Sequence, residues 1–326
     1  MSALTIYCNA DFDGAAMARL REGLQGHRLV LPEGGAVGVL GVGAADPRAD
    51  EADIVFGQPV AEQVMASARV RWVQLTSAGY TRYDRDDLRR AFVARGAALT
   101  KSSLVYDDPC ALQLLAFMCA EARQLAAALD SQRGGRGWPH LELRAESRLL
   151  REEKVVLVGF GSIARRLCEL LAPLHMQVSA LRRRPVGDEP VPTHAIDDPR
   201  AAVALAEAEH VVDILPDSPA TRGYFDAARL RGLRRGAVFY NIGRGTTVDE
   251  TALRAALASG ALAAAYLDVT AVEPLPPDSP LWTTPRCYIT PHTGGGHRDE
   301  SQRLVQHFLD NFRRFVSGGP LLDRVV

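Results

Sequence analysis

The 326-residue sequence has no excess of charge of one sign: 38 Lys and Arg residues face 39 Asp and Glu, a formal charge of −1. Phosphate backbones are bound through a strong positive field, so nucleic acid is excluded as the main partner and small ligands are expected. Paired-cysteine spacing is also missing. Cys8, Cys110, Cys119, Cys168 and Cys287 are scattered, odd in number and free of any CxxC. That pattern excludes a cysteine-based zinc site or disulfide framework and suits reduced thiols in a cytosol. No metal is predicted. No stretch approaches the ~20 apolar residues needed to span a bilayer, and the first residues hold no basic segment ahead of a long apolar run. A cytoplasmic protein without a membrane partner is expected. There is no internal repeat of fixed period and no low-complexity tract.

What is present points to two domains, because the chain exceeds the size at which one core stops growing and its 47% hydrophobic content can fill two. Short apolar runs at 4–8, 28–31, 54–56, 72–75 and 97–100 read as strands, with helical patterns at 15–24 and 88–94. This is a βα repeat suited to a parallel sheet. A long helical run, carrying Leu112, Leu115, Phe117, Met118 and Cys119, ends near 129 and reads as a connector. A second βα series opens at 154–158, an uninterrupted apolar strand of the kind buried on both faces. Further strands are predicted at 177–181, 210–215, 237–241, 263–268 and 287–290, with helices at 163–174, 201–206 and 250–259. The last segment, 302–316, places Leu304, Val305, Phe308, Leu309, Phe312 and Phe315 at helical spacing and is predicted to pack back onto the first domain. The expected fold class is α/β, two doubly wound parallel-sheet domains. Residues 1–104 with 294–326 form one domain and 105–293 the other.

Between the 154–158 strand and the next helix lies Gly159-x-Gly161-x-x-Ala164. Glycines there let the backbone turn sharply and approach a pyrophosphate, while the amides of Ser162 and Ile163 can bind its oxygens. The strand-turn-helix setting favours a dinucleotide site over an ordinary tight turn. NAD-binding folds usually place a carboxylate about twenty residues downstream to hold the adenosine ribose. None is there. After the second strand the chain reads Arg182-Arg183-Arg184-Pro185, and guanidinium groups suit a 2′-phosphate. NADP(H) is therefore predicted over NAD(H), with a solvated basic loop as the competing reading.

Three later segments supply an arginine, a carboxylate and a histidine: Asn241-Ile242-Gly243-Arg244-Gly245, Asp268 through Glu273-Pro274, and Thr290-Pro291-His292-Thr293-Gly294-Gly295. Reducing a 2-keto acid needs an anion clamp, a proton donor and a hydride. Arg244 can bind carboxylate and carbonyl together. His292 can donate the proton. Glu273, bonded to the other ring nitrogen, would favour the imidazolium.

In this ordered combination the chain resembles the D-isomer-specific 2-hydroxyacid dehydrogenase family, most closely its NADPH-dependent glyoxylate/hydroxypyruvate reductases. The resemblance runs from about Trp72 to the C-terminal helix and is strongest between Val155 and Gly295. It implies a Rossmann-type cofactor domain inserted into a flavodoxin-like substrate domain, an active site in the cleft and a homodimer formed through the cofactor domain. It also implies that Arg244, Glu273 and His292 are catalytic. Leu215-Pro216 with Thr221 would line the cofactor together with Ile242 and Gly243, Asp268 would lie near the nicotinamide, and Ser77-Ala78-Gly79 would hold the substrate carboxylate. Departures occur at Asp108-Pro109-Cys110, at Asp217 and through the first seventy residues. Formate dehydrogenases of this architecture pair the histidine with glutamine, so Glu273 favours acid/base chemistry. A catalytically silent NAD(P)H-binding regulator of the same superfamily is the alternative. Control by an additional C-terminal regulatory domain, found in some phosphoglycerate dehydrogenases of the family, is not expected.

Overall fold

In the computed structural model residues 3–326 are described; Met1 and Ser2, which the predicted first domain includes, lie outside them. The chain forms two units, residues 1–106 with 296–326 and residues 107–295. Each crossing falls two residues beyond the sequence-derived boundary.

The first unit holds five parallel strands, β1 (Thr5–Cys8), β2 (Arg28–Val30), β3 (Ile54–Gly57), β4 (Trp72–Leu75) and β5 (Ala98–Thr100), in the order β2-β1-β3-β4-β5. That is the flavodoxin-like doubly wound order. β1, β3 and β4 are buried along their whole length, which is why they read as apolar runs rather than alternations. The C-terminal helix Glu300–Ser317 belongs to this unit, and its buried stripe includes Leu304, Phe308 and Phe312. Phe308 stacks on Phe56 at 4.2 Å and on Trp72 at 5.2 Å. The predicted return of the last segment onto the first domain follows from these aromatic contacts.

The second unit holds β6 (Lys154–Val158), β7 (Gln177–Arg182), β8 (Thr193–Ala195), β9 (His210–Asp213), β10 (Ala237–Asn241), β11 (Leu262–Leu267) and β12 (Cys287–Ile289). Their order is β12-β11-β10-β9-β6-β7-β8, all parallel. This is the Rossmann arrangement with one further strand, and its switch point lies between β6 and β9. The helix Ser162–Leu171 buries Ala164, Leu167, Cys168 and Leu171, the i, i+3, i+4, i+7 stripe of a helix lying on a sheet.

Several predicted boundaries move. The long connector ends at Ala122, Gln124 takes a left-handed φ of 54°, and a separate helix runs Leu125–Arg133. Apolar periodicity continues across that break and hides it. Strand β9 stops at Asp213 because the Asp213 carboxylate captures the Leu215 amide at 3.0 Å, closing a turn. Pro173 tightens the end of the helix after β6 into the 3₁₀ turn Ala172–Leu174. Short elements escaped the sequence reading, among them β8 and the helices Ala61–Ala66, His140–Glu146 and Ala227–Gly232. Among the described residues no single helix is long and apolar enough to cross a membrane. All five cysteines are free.

Candidate active site

The turns after β6, β9 and β10 converge. Gly159 has φ 101°, and a Cβ there would sit 2.9 Å from the Ile214 carbonyl oxygen; a Cβ on Gly243 would sit 2.5 Å from that of Leu215. Only glycine lets these three backbones meet. At Gly161, by contrast, a Cβ would meet nothing within 4 Å, and the helix that starts after it has no side-chain cap. Open space and uncapped amides at Ser162 and Ile163 are what a pyrophosphate requires. The residues present therefore fit a dinucleotide. Leu215, Pro216, Ile242 and Gly243 lie on the converging turns, and Thr221 closes the loop after Pro216 by donating to the Pro216 carbonyl. Asp217, the departure from the family pattern, accepts from Thr246 Oγ1 at 2.8 Å and pairs with Arg222.

Strand β10 delivers the arginine. The Asn241 side chain accepts from the Gly243 amide at 2.9 Å and donates to the Arg244 carbonyl at 3.1 Å, folding the turn. A Cβ on Gly245 would overlap the Thr270 backbone at 1.9 Å, so the turn lies directly against the segment that carries Glu273. The Arg244 guanidinium is half-buried and donates to the Gly243 carbonyl at 2.6 Å.

Strands β11 and β12 deliver the acid and the histidine. His292 Nδ1 lies 2.7 Å from Glu273 Oε2, and Glu273 Oε1 accepts from the Thr270 amide at 3.0 Å. Burial pushes the Glu273 carboxyl up, but the His292 bond, the Thr270 amide and the Arg244 charge outweigh it and hold the group below the usual carboxylate range. It is an anion at neutral pH. Asp268, which the family resemblance places near the nicotinamide, is buried, and its carboxylate holds the histidine loop. It accepts from Thr290 Oγ1 at 2.6 Å, the Thr293 amide at 3.0 Å and the Gly294 amide at 2.9 Å. Its main-chain oxygen accepts from the His292 amide at 2.8 Å. A side chain at Gly294 would strike Ile242 and Asp268. With Nδ1 occupied, Nε2 is the ring nitrogen left for substrate.

This geometry sets the expected effect of Glu273→Gln. The amide keeps the shape and removes the negative charge that stands 2.7 Å from His292 Nδ1. The alkaline limb of the pH profile of keto-acid reduction is expected to move to lower pH. An unmoved alkaline limb would remove Glu273 from the chemistry.

In the first unit the Ser77-Ala78-Gly79 loop is braced from beneath. Gln58 Nε2 donates to Thr76 Oγ1 and Ser77 Oγ, both at 3.0 Å, and Ser77 Oγ donates to the Gly79 carbonyl at 2.6 Å. The arginine run is less uniform than its sequence. Arg182 is tied to Glu189 at 2.7 Å, while Arg183 and Arg184 are exposed. Glu189 is an acid that sequence distance conceals, since the loop brings it back from seven residues beyond Arg182. Its carboxylate is nearly buried and also accepts from the Val186 and Gly187 amides, so it is not open to ribose hydroxyls. Gln58, Asn241 and Thr270 are supporting residues that the sequence reading did not assign. Asn241 and Thr270 lay inside motifs singled out for their neighbours, and Gln58 gave no signal.

A Rossmann sheet with a glycine turn at its switch point, set beside an arginine and a glutamate–histidine pair, defines a nicotinamide-dependent oxidoreductase. Residues 115–294 match the model of the D-isomer specific 2-hydroxyacid dehydrogenase NAD binding domain. A human glyoxylate reductase/hydroxypyruvate reductase is 30% identical over 262 residues, 78% of this chain and 77% of its own. Glyoxylate/hydroxypyruvate reductase B of Citrobacter koseri is 29% identical over 253 residues, 77% and 76% of the two chains. Among solved structures, a D-isomer specific 2-hydroxyacid dehydrogenase from Xanthobacter autotrophicus Py2, in complex with NADPH and MES, superposes with a TM-score of 0.80. It is 30% identical, with 100% of this chain and 98% of that one covered. The chain belongs to the D-isomer specific 2-hydroxyacid dehydrogenase family. It is an NAD(P)-dependent 2-hydroxyacid dehydrogenase/reductase.

Proposed function

We propose that the protein reduces a small 2-keto acid, glyoxylate or hydroxypyruvate first among them, with NADPH as the preferred cofactor. The observation that carries the reading is the 2.7 Å contact between His292 Nδ1 and an ionised Glu273 beside Arg244. When bound, the nicotinamide supplies the hydride. His292 Nε2 gives a proton to the nascent alkoxide, and Glu273 stabilises the imidazolium before that transfer. Arg244 binds the substrate carboxylate and draws electron density onto the carbonyl oxygen.

The substrate choice is supported by the names of the human and Citrobacter relatives. The cofactor choice is supported by the exposed Arg183 and Arg184 and by the NADPH in the Xanthobacter relative's structure. With Arg182 committed to Glu189, the 2′-phosphate falls to Arg183. Exposed Trp138, Leu141 and Leu149, the first at 87%, support a homodimer formed through the cofactor domain. The free thiols suit a cytoplasmic setting.

The test is a panel of 2-keto acids with both cofactors, on protein whose mass is read by sedimentation. We expect dimers whose kcat/KM with NADPH exceeds that with NADH by on the order of tenfold or more, corresponding to one charge-assisted contact. Arg183→Ala is expected to shrink that ratio. Equal values for the two cofactors would remove the NADPH preference, and monomers would remove the dimer. Tight cofactor binding without turnover of any 2-keto acid would instead indicate a silent regulator.

A further inference from the structure

Two acceptors and one proton meet at Thr247. Its Oγ1 lies 2.5 Å from Asp213 Oδ2 and 2.6 Å from the Arg244 carbonyl oxygen. A threonine hydroxyl carries a single hydrogen. If Asp213 were ionised, Thr247 would give that hydrogen to the carboxylate. Its oxygen would then face the Arg244 carbonyl at 2.6 Å, lone pair against lone pair. If Asp213 is the neutral acid, its own O–H donates to Thr247 and Thr247 donates to Arg244. Every close contact is then satisfied. The second oxygen, Oδ1, accepts from the Leu215 amide at 3.0 Å, as either state allows.

The surroundings favour the uncharged acid. Asp213 and Thr247 are both fully buried. In the flanking strands Asp213 pairs with Val158 of β6 and Asn241 of β10, neither of which ionises. Tyr224 is the titratable group facing it from the loop after β9. Burial, opposed by the Arg229 guanidinium lying 4.1 Å over its ring, raises that phenol and keeps it neutral. Among the described residues no Lys, Arg or His pairs with Asp213. Burial outweighs the bonds from Thr247 and Leu215 and pushes the Asp213 carboxyl up to about 7.

We propose that Asp213 is a positioning residue that works as a neutral carboxylic acid, donating to Thr247 so that Thr247 can hold the carbonyl of Arg244. The Arg244 carbonyl also accepts from Asn241 Nδ2 at 3.1 Å and from the Thr247 amide at 3.2 Å. The bond through Thr247 Oγ1 ties this turn across to the neighbouring strand. Ionising Asp213 takes the Thr247 hydrogen away and loosens the turn from which the arginine side chain projects. The functional consequence rests on Arg244 being the substrate clamp. The proton assignment does not.

Asp213→Asn supplies the test, because an amide can donate to Thr247 and accept from Leu215 but cannot titrate. The folded carboxyl binds its proton more tightly than the unfolded one. Stability from this site is therefore full at and below about pH 4 and is lost as the pH climbs to about 7. The Tm of Asp213→Asn relative to wild type is expected to rise by several degrees across that window. Infrared spectra of the wild type below neutrality are expected to show a protonated-carboxyl stretch that Asp213→Asn lacks and that fades as the pH rises. A flat Tm difference, or a carboxyl band left intact in the variant, would overturn the neutral acid. Both readouts work without turnover, so they stand apart from the reductase reading. For the positioning role, Thr247→Val is expected to lose about tenfold in kcat/KM, the scale of a small misplacement, and Thr247→Ser to restore it. Wild-type kcat/KM in Thr247→Val would overturn that role.

Discussion

His292→Ala is expected to lower kcat for keto-acid reduction by ~10²–10⁴-fold, the usual range for a positioned general acid, while NADPH affinity changes little. The selectivity of the effect follows from how the loop is held. The segment 290–294 is anchored by Asp268 through Thr290 Oγ1 and through the Thr293 and Gly294 amides. None of these bonds involves the imidazole. Deleting the ring removes the proton donor and leaves the loop and the cofactor turns in place. One backbone difference accompanies it, because His292 has φ 53°, a left-handed conformation that histidine and asparagine adopt more readily than alanine. His292→Asn, better suited to that conformation, separates the two effects: its kcat should fall as far with less loss of Tm. Stopped-flow reduction and fluorescence titration with NADPH read both quantities. Undiminished kcat in both variants would show that water or another group delivers the proton.

How much of this was legible beforehand depends on where each signal lives. Buried parallel strands announce themselves as apolar runs, so β6 and β10 were found with their observed bounds. The glycine turn was legible because positive φ and close backbone approach leave few alternatives to glycine. The pairing of Glu273 with His292 was legible as an ordered residue set whose chemistry needs both. What escaped were relations made by tertiary approach. Nothing in Arg182-Arg183-Arg184 reveals that Glu189 folds back to occupy the first of them. The family resemblance places Asp268 near the nicotinamide, and the structure adds that its carboxylate anchors the histidine loop through Thr290, Thr293 and Gly294. Asp213 was hidden differently. It sits in the apolar run Val211-Val212-Asp213-Ile214-Leu215 and was absorbed into a strand prediction, although a carboxyl group in a buried strand requires a partner. That mismatch was the available signal.

Arg244→Lys is the second large effect expected, a loss of ~10²–10³-fold in kcat/KM, comparable to removing one donor from a site that stabilises developing negative charge. Charge conservation makes it the informative substitution. Arg244 spends Nη1 on the Gly243 carbonyl, and among the described residues no carboxylate lies within ion-pair distance of it. Its remaining donors form a planar fork that can meet a carboxylate oxygen and a carbonyl oxygen together, with a direction fixed by the turn beneath. A lysine ammonium is a strongly hydrated point charge on a flexible stem. It can neutralise the carboxylate, so part of the substrate affinity should survive. It cannot at the same time keep a donor on the carbonyl oxygen as that oxygen gains charge. The loss should therefore appear in kcat as well as in KM for the keto acid, because the fork's advantage grows toward the transition state. Glu273 offers an internal check. The Arg244 charge helps depress its carboxyl, and lysine preserves that charge nearby. The pH profile of Arg244→Lys should thus stay close to that of the wild type while its height falls. A profile displaced like that of Glu273→Gln would mean that Arg244 acts through the acid/base pair rather than on the substrate.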